Sequence, residues 1–445
     1  MITIHTIGGY NEVGKNMTAL EVDDDVILFD AGLFLPAIVG VEEREKIPTE
    51  KGMRALGALP NDLYLDSKGL RNKVRAILIS HAHLDHVGGV QFISPRYNAD
   101  VVATPFTIEV LKTLLTDTEQ KLPNRLVSVK PNGTYIVKGK RDYKVEFVNI
   151  THSTIQCAVI AVHTPYGIVL YANDYKFDNS PVMGDKPNYK RMKEMSKIGI
   201  KALIVDCLYA SDERKTPSEK IAQGLLEDVL FTTDNHKSGI IVTTFSSHIA
   251  RLKTITEFGR KLNREVVFFG RSLNKYVSAA AKVGMAPFLS HARMITYRKH
   301  MEKTLQTIHK NKSKYLLVCT GHQGEHGAIL DRISRNQLKY PLGADDQVIF
   351  SSKTIPTPIN QANRLELETR LRKHKVRIFD NVHVSGHGGR EDLRDFVKLT
   401  NPEHIIPSHG DTDKLKAGVE LAVEMGYKKD STVHLAFNNH KIILK

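Results

Sequence analysis

No apolar run in this chain approaches the roughly 18 residues that a membrane-spanning helix needs, so the sequence carries no span of that kind. The N-terminal stretch Met-Ile-Thr-Ile-His-Thr-Ile lacks the basic start and long apolar core of a secretory signal and alternates like a strand. Cysteine is scarce. The three present, Cys157, Cys207 and Cys319, are widely separated and sit in apolar, strand-like contexts. A disulfide framework is therefore not expected; buried free thiols in a reducing compartment are, which points to a cytoplasmic protein with no membrane partner. Internal repeats and low-complexity linkers are absent as well. Acidic residues are outnumbered, 49 against 63 Lys and Arg, leaving a net charge of +14. Such an excess draws polyanions, nucleic acid first. It recurs in runs at 186–201, 298–314 and 370–377, each of which alone reads as a solvated helix face.

The 445 residues suffice for about three domain-sized units with a substantial core. At 41% hydrophobic and 25% charged residues, the composition is that of a soluble globular chain. Its organising stretch is Ser80-His81-Ala82-His83-Leu84-Asp85-His86. The apolar run 74–79 before it reads as a buried strand, and Gly88-Gly89 after it as a tight turn. The motif thus leaves the carboxyl end of a strand, the usual place for ligands in open α/β sheets. Three imidazoles and a carboxylate at that spacing can converge on a metal. The donor types suit Zn²⁺, with Mn²⁺ as the alternative where oxygen ligands dominate. Two metals would need about six ligands, so others must come from elsewhere.

Taken in order, residues 1–40 read as paired strands, the last of which ends in Asp30-Ala31-Gly32. Asp30 either orients a metal-bound imidazole or simply caps a turn. Residues 41–73, with Pro48 and Pro60, are expected to be an irregular excursion, and a helix is expected over 107–116. Further polar residues stand at predicted strand ends: His152 after 145–148, Asp174 after 168–170, and Asp206 after 201–205. From about 208 the texture changes to short β-rich runs alternating with helical stretches. Thr216-Pro217-Ser218-Glu219 opens the first of these helices. Near 378 the earlier pattern returns, with His383 and His387 after one run and His409 after another. The middle segment therefore reads as an insertion. The expected domains are 1–207, 208–378 and 379–445, the first and last being parts of one domain.

Several blocks of this sequence together resemble the metallo-β-lactamase superfamily, its β-CASP nucleases, and within them the ribonuclease J family in its shorter archaeal form. They are Gly8-Gly9-Tyr10-Asn11-Glu12-Val13-Gly14-Lys15-Asn16, Asp30-Ala31-Gly32-Leu33, His81 through Gly89, Thr151-His152-Ser153, and Asp174-Tyr175-Lys176-Phe177-Asp178. Gly270-Arg271-Ser272, His383-Val384-Ser385-Gly386-His387 and Pro407-Ser408-His409-Gly410 follow in the same order. The resemblance implies an α/β fold, an αββα metallo-β-lactamase sandwich with an inserted β-CASP domain. It implies two divalent metal ions, one held by His81, His83 and His152, the other by Asp85, His86 and His409, with Asp174 bridging. Asp85, Asp206 and His387 would be catalytic, His387 being oriented by Asp206 and giving a proton to the leaving oxygen. Ser247, Arg271, Ser272, Ser385 and Gly386 would hold substrate phosphate.

The activity so implied is a metal-dependent 5′-to-3′ exoribonuclease on single-stranded RNA, preferring a 5′-monophosphate end. An RNA endonuclease of the cleavage-and-polyadenylation type shares the same ligands and is the alternative. A small-molecule hydrolase fits the insertion and the charge poorly, and a non-catalytic paralogue fits the intact ligand set poorly. This sequence departs from the family pattern at His248 and Ala250, within Phe245-Ser246-Ser247-His248-Ile249-Ala250-Arg251, and at Asn173, where a Gly is common. It ends soon after its last block, so RNA grip, and any homodimer contact, are expected from the two domains alone.

Overall fold

The computed structural model describes residues 1–39, 49–355 and 358–444. The chain divides into two compact units. The first joins Met1–Asn179, Gly184–Thr216 and Gly386–Lys445; the second joins Ser180–Met183 and Pro217–Ser385. The changes of unit therefore fall after Thr216 and Ser385, a few residues beyond the points at 208 and 379 where the sequence texture shifts.

The strands of the first unit's leading part are β1 (Ile2–Gly8), β2 (Met17–Val22), β3 (Asp25–Phe29), β4 (Val74–Ile79), β5 (Asp100–Ala103) and β6 (Leu126–Ser128). They continue with β7 (Thr134–Lys138), β8 (Asp142–Asn149), β9 (Ala158–Thr164), β10 (Gly167–Ala172) and β11 (Ile200–Asp206). The second unit holds β12 (Ile240–Thr243), β13 (Glu265–Phe269), β14 (Ala292–Ile295), β15 (Tyr315–Cys319), β16 (Gln347–Phe350) and β17 (Arg377–Phe379). The chain then returns to the first unit with β18 (His404–Ser408) and β19 (His440–Leu444).

The first unit is a sandwich of two sheets, in the orders β19-β1-β2-β3-β4-β5-β6 and β18-β11-β10-β9-β8-β7. Ile4, Leu20, Ile27 and Leu78 of one sheet share a core with Phe147, Val162, Leu170 and Ile204 of the other. Helices cover the outer faces: Pro105–Asp117 lies on β5 and β6, Tyr189–Ile198 on β10, and Thr412–Glu424 on β18. Strands covered on both faces carry unbroken apolar runs rather than alternation, as β3, β10 and β11 do. The second unit is one parallel sheet, in the order β14-β13-β15-β12-β16-β17.

The helix expected over 107–116 runs from Pro105 to Asp117, with Pro105 at its first turn, where its missing N–H costs nothing. At the 216–219 start, Ser218 is the cap, its hydroxyl accepting from Lys220 N–H. Part of the expected irregular excursion is helical instead, at Glu50–Ala55 and Leu63–Ser67. Thr49 starts the first of these by accepting from Gly52 N–H. Residues 41–48 of that excursion lie outside the described residues. Cys157, Cys207 and Cys319 are all buried free thiols. Among the described residues no helix is long and apolar enough to cross a membrane.

Candidate metal centre

Strands β3, β4, β8, β10, β11 and β18 deliver polar residues to one edge of the sandwich. Three of these arrive with left-handed backbone: Asp30 at φ 57°, Asp174 at 64° and His409 at 57°. Asp30 and His409 follow a buried strand directly and Asp174 stands two residues past one; each such residue costs on the order of 1–3 kcal/mol that the surrounding structure must supply. The loop Asp30-Ala31-Gly32-Leu33 then pairs with the motif loop. Ala31 N–H donates to His86 O at 2.9 Å and Leu33 N–H to Leu84 O at 2.9 Å. A Cβ on Gly32 would overlap the Asp85 carbonyl oxygen at 1.6 Å, so only glycine permits that approach.

The expected ligands converge in two groups that share Asp174. His81, His83, His152 and Asp174 form one; Asp85, His86, Asp174 and His409 form the other. In the first, His83 Nδ1 lies 3.1 Å from His81 Nε2 and 3.0 Å from His152 Nε2. Asp174 Oδ2 stands 3.3 Å from His81 Nε2 and 3.4 Å from His152 Nε2. In the second, His86 Nε2 is 3.3 Å from Asp174 Oδ2 and 3.6 Å from Asp85 Oδ2. His409 Nε2 lies 3.6 Å from Asp174 Oδ1.

The outer nitrogens of four of these rings are held by other groups. His81 Nδ1 meets Ser80 Oγ at 3.0 Å, and His86 Nδ1 meets Asp30 Oδ2 at 2.7 Å. His152 Nδ1–H donates to Gly386 O at 2.6 Å, and His409 Nδ1–H to Asn16 Oδ1 at 3.0 Å. With the outer nitrogen protonated, the inner nitrogen of a neutral ring turns its lone pair into the cluster. Asp30 accepts four bonds in all, from His86, Ser80 N–H (2.8 Å), Ser80 O–H (2.9 Å) and Tyr171 O–H (2.9 Å). It orients an imidazole rather than merely capping a turn. Asn173 also belongs here. Its amide donates to Asn16 Oδ1 at 3.2 Å and to Tyr171 Oη at 2.9 Å, while its carbonyl oxygen accepts from Ser408 Oγ.

These positions fit divalent cations. Nitrogens each about 2.1 Å from a shared ion stand about 3–3.4 Å apart, which matches the His81–His83–His152 spacings. Burial holds His81 below the usual histidine value, and His83 and His152 well below it, so all three are neutral donors. Burial opposes the charge on Asp174, but His409, His86 and His387 outweigh it and keep the carboxyl well below its ordinary value. Asp174 Oδ1 is buried and, among the described residues, has no hydrogen-bond partner. A buried anionic oxygen with no hydrogen-bond partner calls for a cation.

His387 stands beside the second group. Its Nδ1–H donates to Asp206 Oδ2 at 2.7 Å, its ring stacks on His409 at 5.4 Å, and Nδ1 is 3.9 Å from Asp174 Oδ1. Burial pushes this imidazole toward neutrality, but Asp174 and Asp206 outweigh it and raise it to about 9. Asp174, Asp206, His387 and His409 form a third convergent group. Gly386 turns its carbonyl to His152, and a Cβ there would meet Ser153 Oγ at 2.6 Å. The other expected phosphate contacts belong to the second unit. Ser272 Oγ lies 3.1 Å from Ser246 Oγ, next to buried Ser247; Arg271, exposed, opens helix Arg271–Lys282; Ser385 is half-buried.

Sequence reasoning does not single out Asn16, Ser80 or Tyr171 as site residues. Asn16 closes the first of the family-like blocks, and that position, shortly after the Gly8-Gly9 pair, is the only signal the sequence offers for it.

Comparison with known proteins finds three matching family models along the chain. Residues 10–239 match the metallo-beta-lactamase superfamily, 237–366 the ribonuclease J beta-CASP domain, and 373–433 the Zn-dependent metallo-hydrolase RNA specificity domain. The chain is 42% identical over 440 residues to a ribonuclease J of Methanocaldococcus jannaschii, covering 98% of this chain and 97% of that one. It is 42% identical over 445 residues to a ribonuclease J of Pyrococcus abyssi, covering 99% and 97%. A crystal structure of a protein of unknown function from Enterococcus faecalis V583 aligns over 100% of both chains with a TM-score of 0.65 at 17% identity, which supports the fold. The chain belongs to the ribonuclease J family, nucleases that hydrolyse phosphodiester bonds on a metallo-β-lactamase fold with an inserted β-CASP domain.

Proposed function

We propose that the protein is a 5′-to-3′ exoribonuclease that works with two divalent cations, Zn²⁺ first and Mn²⁺ as the alternative, on single-stranded RNA with a 5′-monophosphate. The observation that carries the reading is the pair of four-residue groups sharing Asp174, with the Asp206–His387 pair beside them. His81, His83 and His152 would hold one cation, Asp85, His86 and His409 the other, and Asp174 both. When bound, such a pair lowers the pKa of a shared water and stabilises the attacking and leaving oxygens of an in-line displacement at phosphorus. Asp206 keeps the His387 proton on Nδ1 and the ring in place, so that Nε2 can carry a second proton to the leaving 3′-oxygen.

Ser247, Arg271, Ser272 and Ser385 of the second unit would meet the 5′-phosphate end through hydroxyl and guanidinium groups, and Gly386 of the first unit would offer substrate phosphate a backbone N–H. An anchored end makes release of single nucleotides, step by step, the natural outcome. The test uses one RNA labelled at its 5′ end and bearing a monophosphate, a triphosphate or a hydroxyl, incubated with protein and Zn²⁺ or Mn²⁺. Early release of labelled mononucleotide from the monophosphate form, with a lag for the triphosphate, is the expected result. Identical internal fragments from all three would make the protein an endonuclease instead.

A further inference from the structure

The basic run at 186–201 has no part in the centre described above. It folds as helix Tyr189–Ile198, which packs against helix Arg390–Thr400. Residues of both helices, together with Phe177 and Lys215, line a cleft of about 460 Å³. Phe177, Tyr189 and Leu399 supply apolar surface, and Lys193, Lys215 and Lys398 the charge. Lys215 is paired with Asp395 at 2.6 Å, whereas exposed Lys193 and Lys398 have no acidic partner among the described residues. The half-buried Tyr189 ring lies 5.3 Å from that of Phe177.

Cations that follow a backbone, beside an aromatic ring on which a base can stack, are the means by which proteins grip single-stranded nucleic acid without reading its sequence. The volume lies in the range of about 300–1,000 Å³ typical of sites for a compact ligand. The cleft is also built on the segments that carry the centre. Phe177 follows Asp174 by three residues, at most about 11 Å of chain. Lys215 precedes Thr216, whose hydroxyl donates to His387 O at 2.7 Å and whose N–H donates to Asp392 Oδ2 at 2.7 Å.

We infer that this cleft binds one nucleotide of single-stranded RNA outside the cleaved bond, its base on Tyr189 and its flanking phosphates on Lys193 and Lys398. The inference rests on RNA being the substrate. An acidic protein segment could meet the lysines, but it would leave the ring without a use.

The experiment measures binding of a fluorescent single-stranded RNA to the full chain without divalent cations, across a range of salt. Lys193→Ala with Lys398→Ala is expected to weaken binding about tenfold at low salt. It should also flatten the log–log salt dependence by about 1.4, at about 0.7 for each phosphate no longer neutralised. Tyr189→Leu should weaken binding by about tenfold and leave the slope unchanged. Hydrolysis of the small diester bis(p-nitrophenyl) phosphate with added metal should be unaltered in both, which shows that the fold and the centre are intact. Unchanged RNA affinity and slope in the lysine variant would overturn the inference. Failure of the wild-type protein to bind RNA at all would overturn the substrate reading with it.

Discussion

At the metal centre the hydrogen bonds are settled in advance: Ser80, Asp30, Gly386, Asn16 and Asp206 each hold the outer nitrogen of one imidazole. The carboxyl edge of the parallel sheet in the second unit is different. There both nitrogens of His322, Ser352 Oγ and Thr243 Oγ1 are buried without a hydrogen-bond partner among the described residues. The His322 ring rests only 4.2 Å from that of Phe245. Elsewhere in the second unit the hydrogen bonds are made again: fully buried Arg251 donates to both oxygens of Glu219, at 2.6 and 2.9 Å, and to Ser351 O at 2.8 Å. Cations would meet rings already held in place, so the candidate metal centre has its orientation built in. The sheet edge keeps hydrogen-bonding capacity unused.

The comparison can be broken most directly at His387. His387→Ala should lower kcat by about 10²–10⁴-fold with little change in RNA affinity, as expected for loss of a proton donor. The donor acts while protonated, so wild-type kcat should fall as pH rises through its pKa. The variant should lack that alkaline limb; a loss of affinity alone would make His387 a phosphate contact. In the second unit, Arg251→Met leaves the Glu219 carboxylate buried without the guanidinium, with His248 Nε2 at 3.4 Å. Destabilisation of about 3–5 kcal/mol is expected in a denaturant melt. Adding Glu219→Leu should recover much of it. Equal stability of the single and double variants would show that the pair does not stabilise that region.

Much of the candidate metal centre can be read in the chain because its residues are contiguous or stand at strand ends. His81, His83, Asp85 and His86 lie within six residues, and His152, Asp174 and His409 each end an apolar run. The groups that orient them are harder to see. Asn16 reaches His409 across 393 positions and Asn173 across 157, and an amide looks the same in a turn as in such a contact. In the sequence Asn173 is only a departure from the family pattern, yet in the fold it links Ser408, Asn16 and Tyr171. The His152 partner is a backbone carbonyl, which no side-chain pattern can announce. The helices at Glu50–Ala55 and Leu63–Ser67 escape notice because each is under two turns long, too short for a periodic signal.

A smaller effect sharpens the same contrast. Asn16→Ala removes the acceptor for His409 Nδ1–H and should weaken the second cation by about 10–100-fold, leaving the fold intact. Calorimetric titration with Zn²⁺ or Mn²⁺ would read this directly, and an affinity equal to wild type would mean that His409 is oriented by other contacts.

The most direct test of the whole account is the number of divalent ions bound per chain, counted by elemental analysis after metal-stripped protein is reloaded and desalted. Wild-type protein should bind two and recover RNA cleavage. Asp174→Asn should bind at most one tightly and not cleave, while keeping its affinity for RNA. Two tightly bound ions and intact cleavage in Asp174→Asn, or cleavage by fully stripped wild-type protein, would contradict the shared-carboxylate centre.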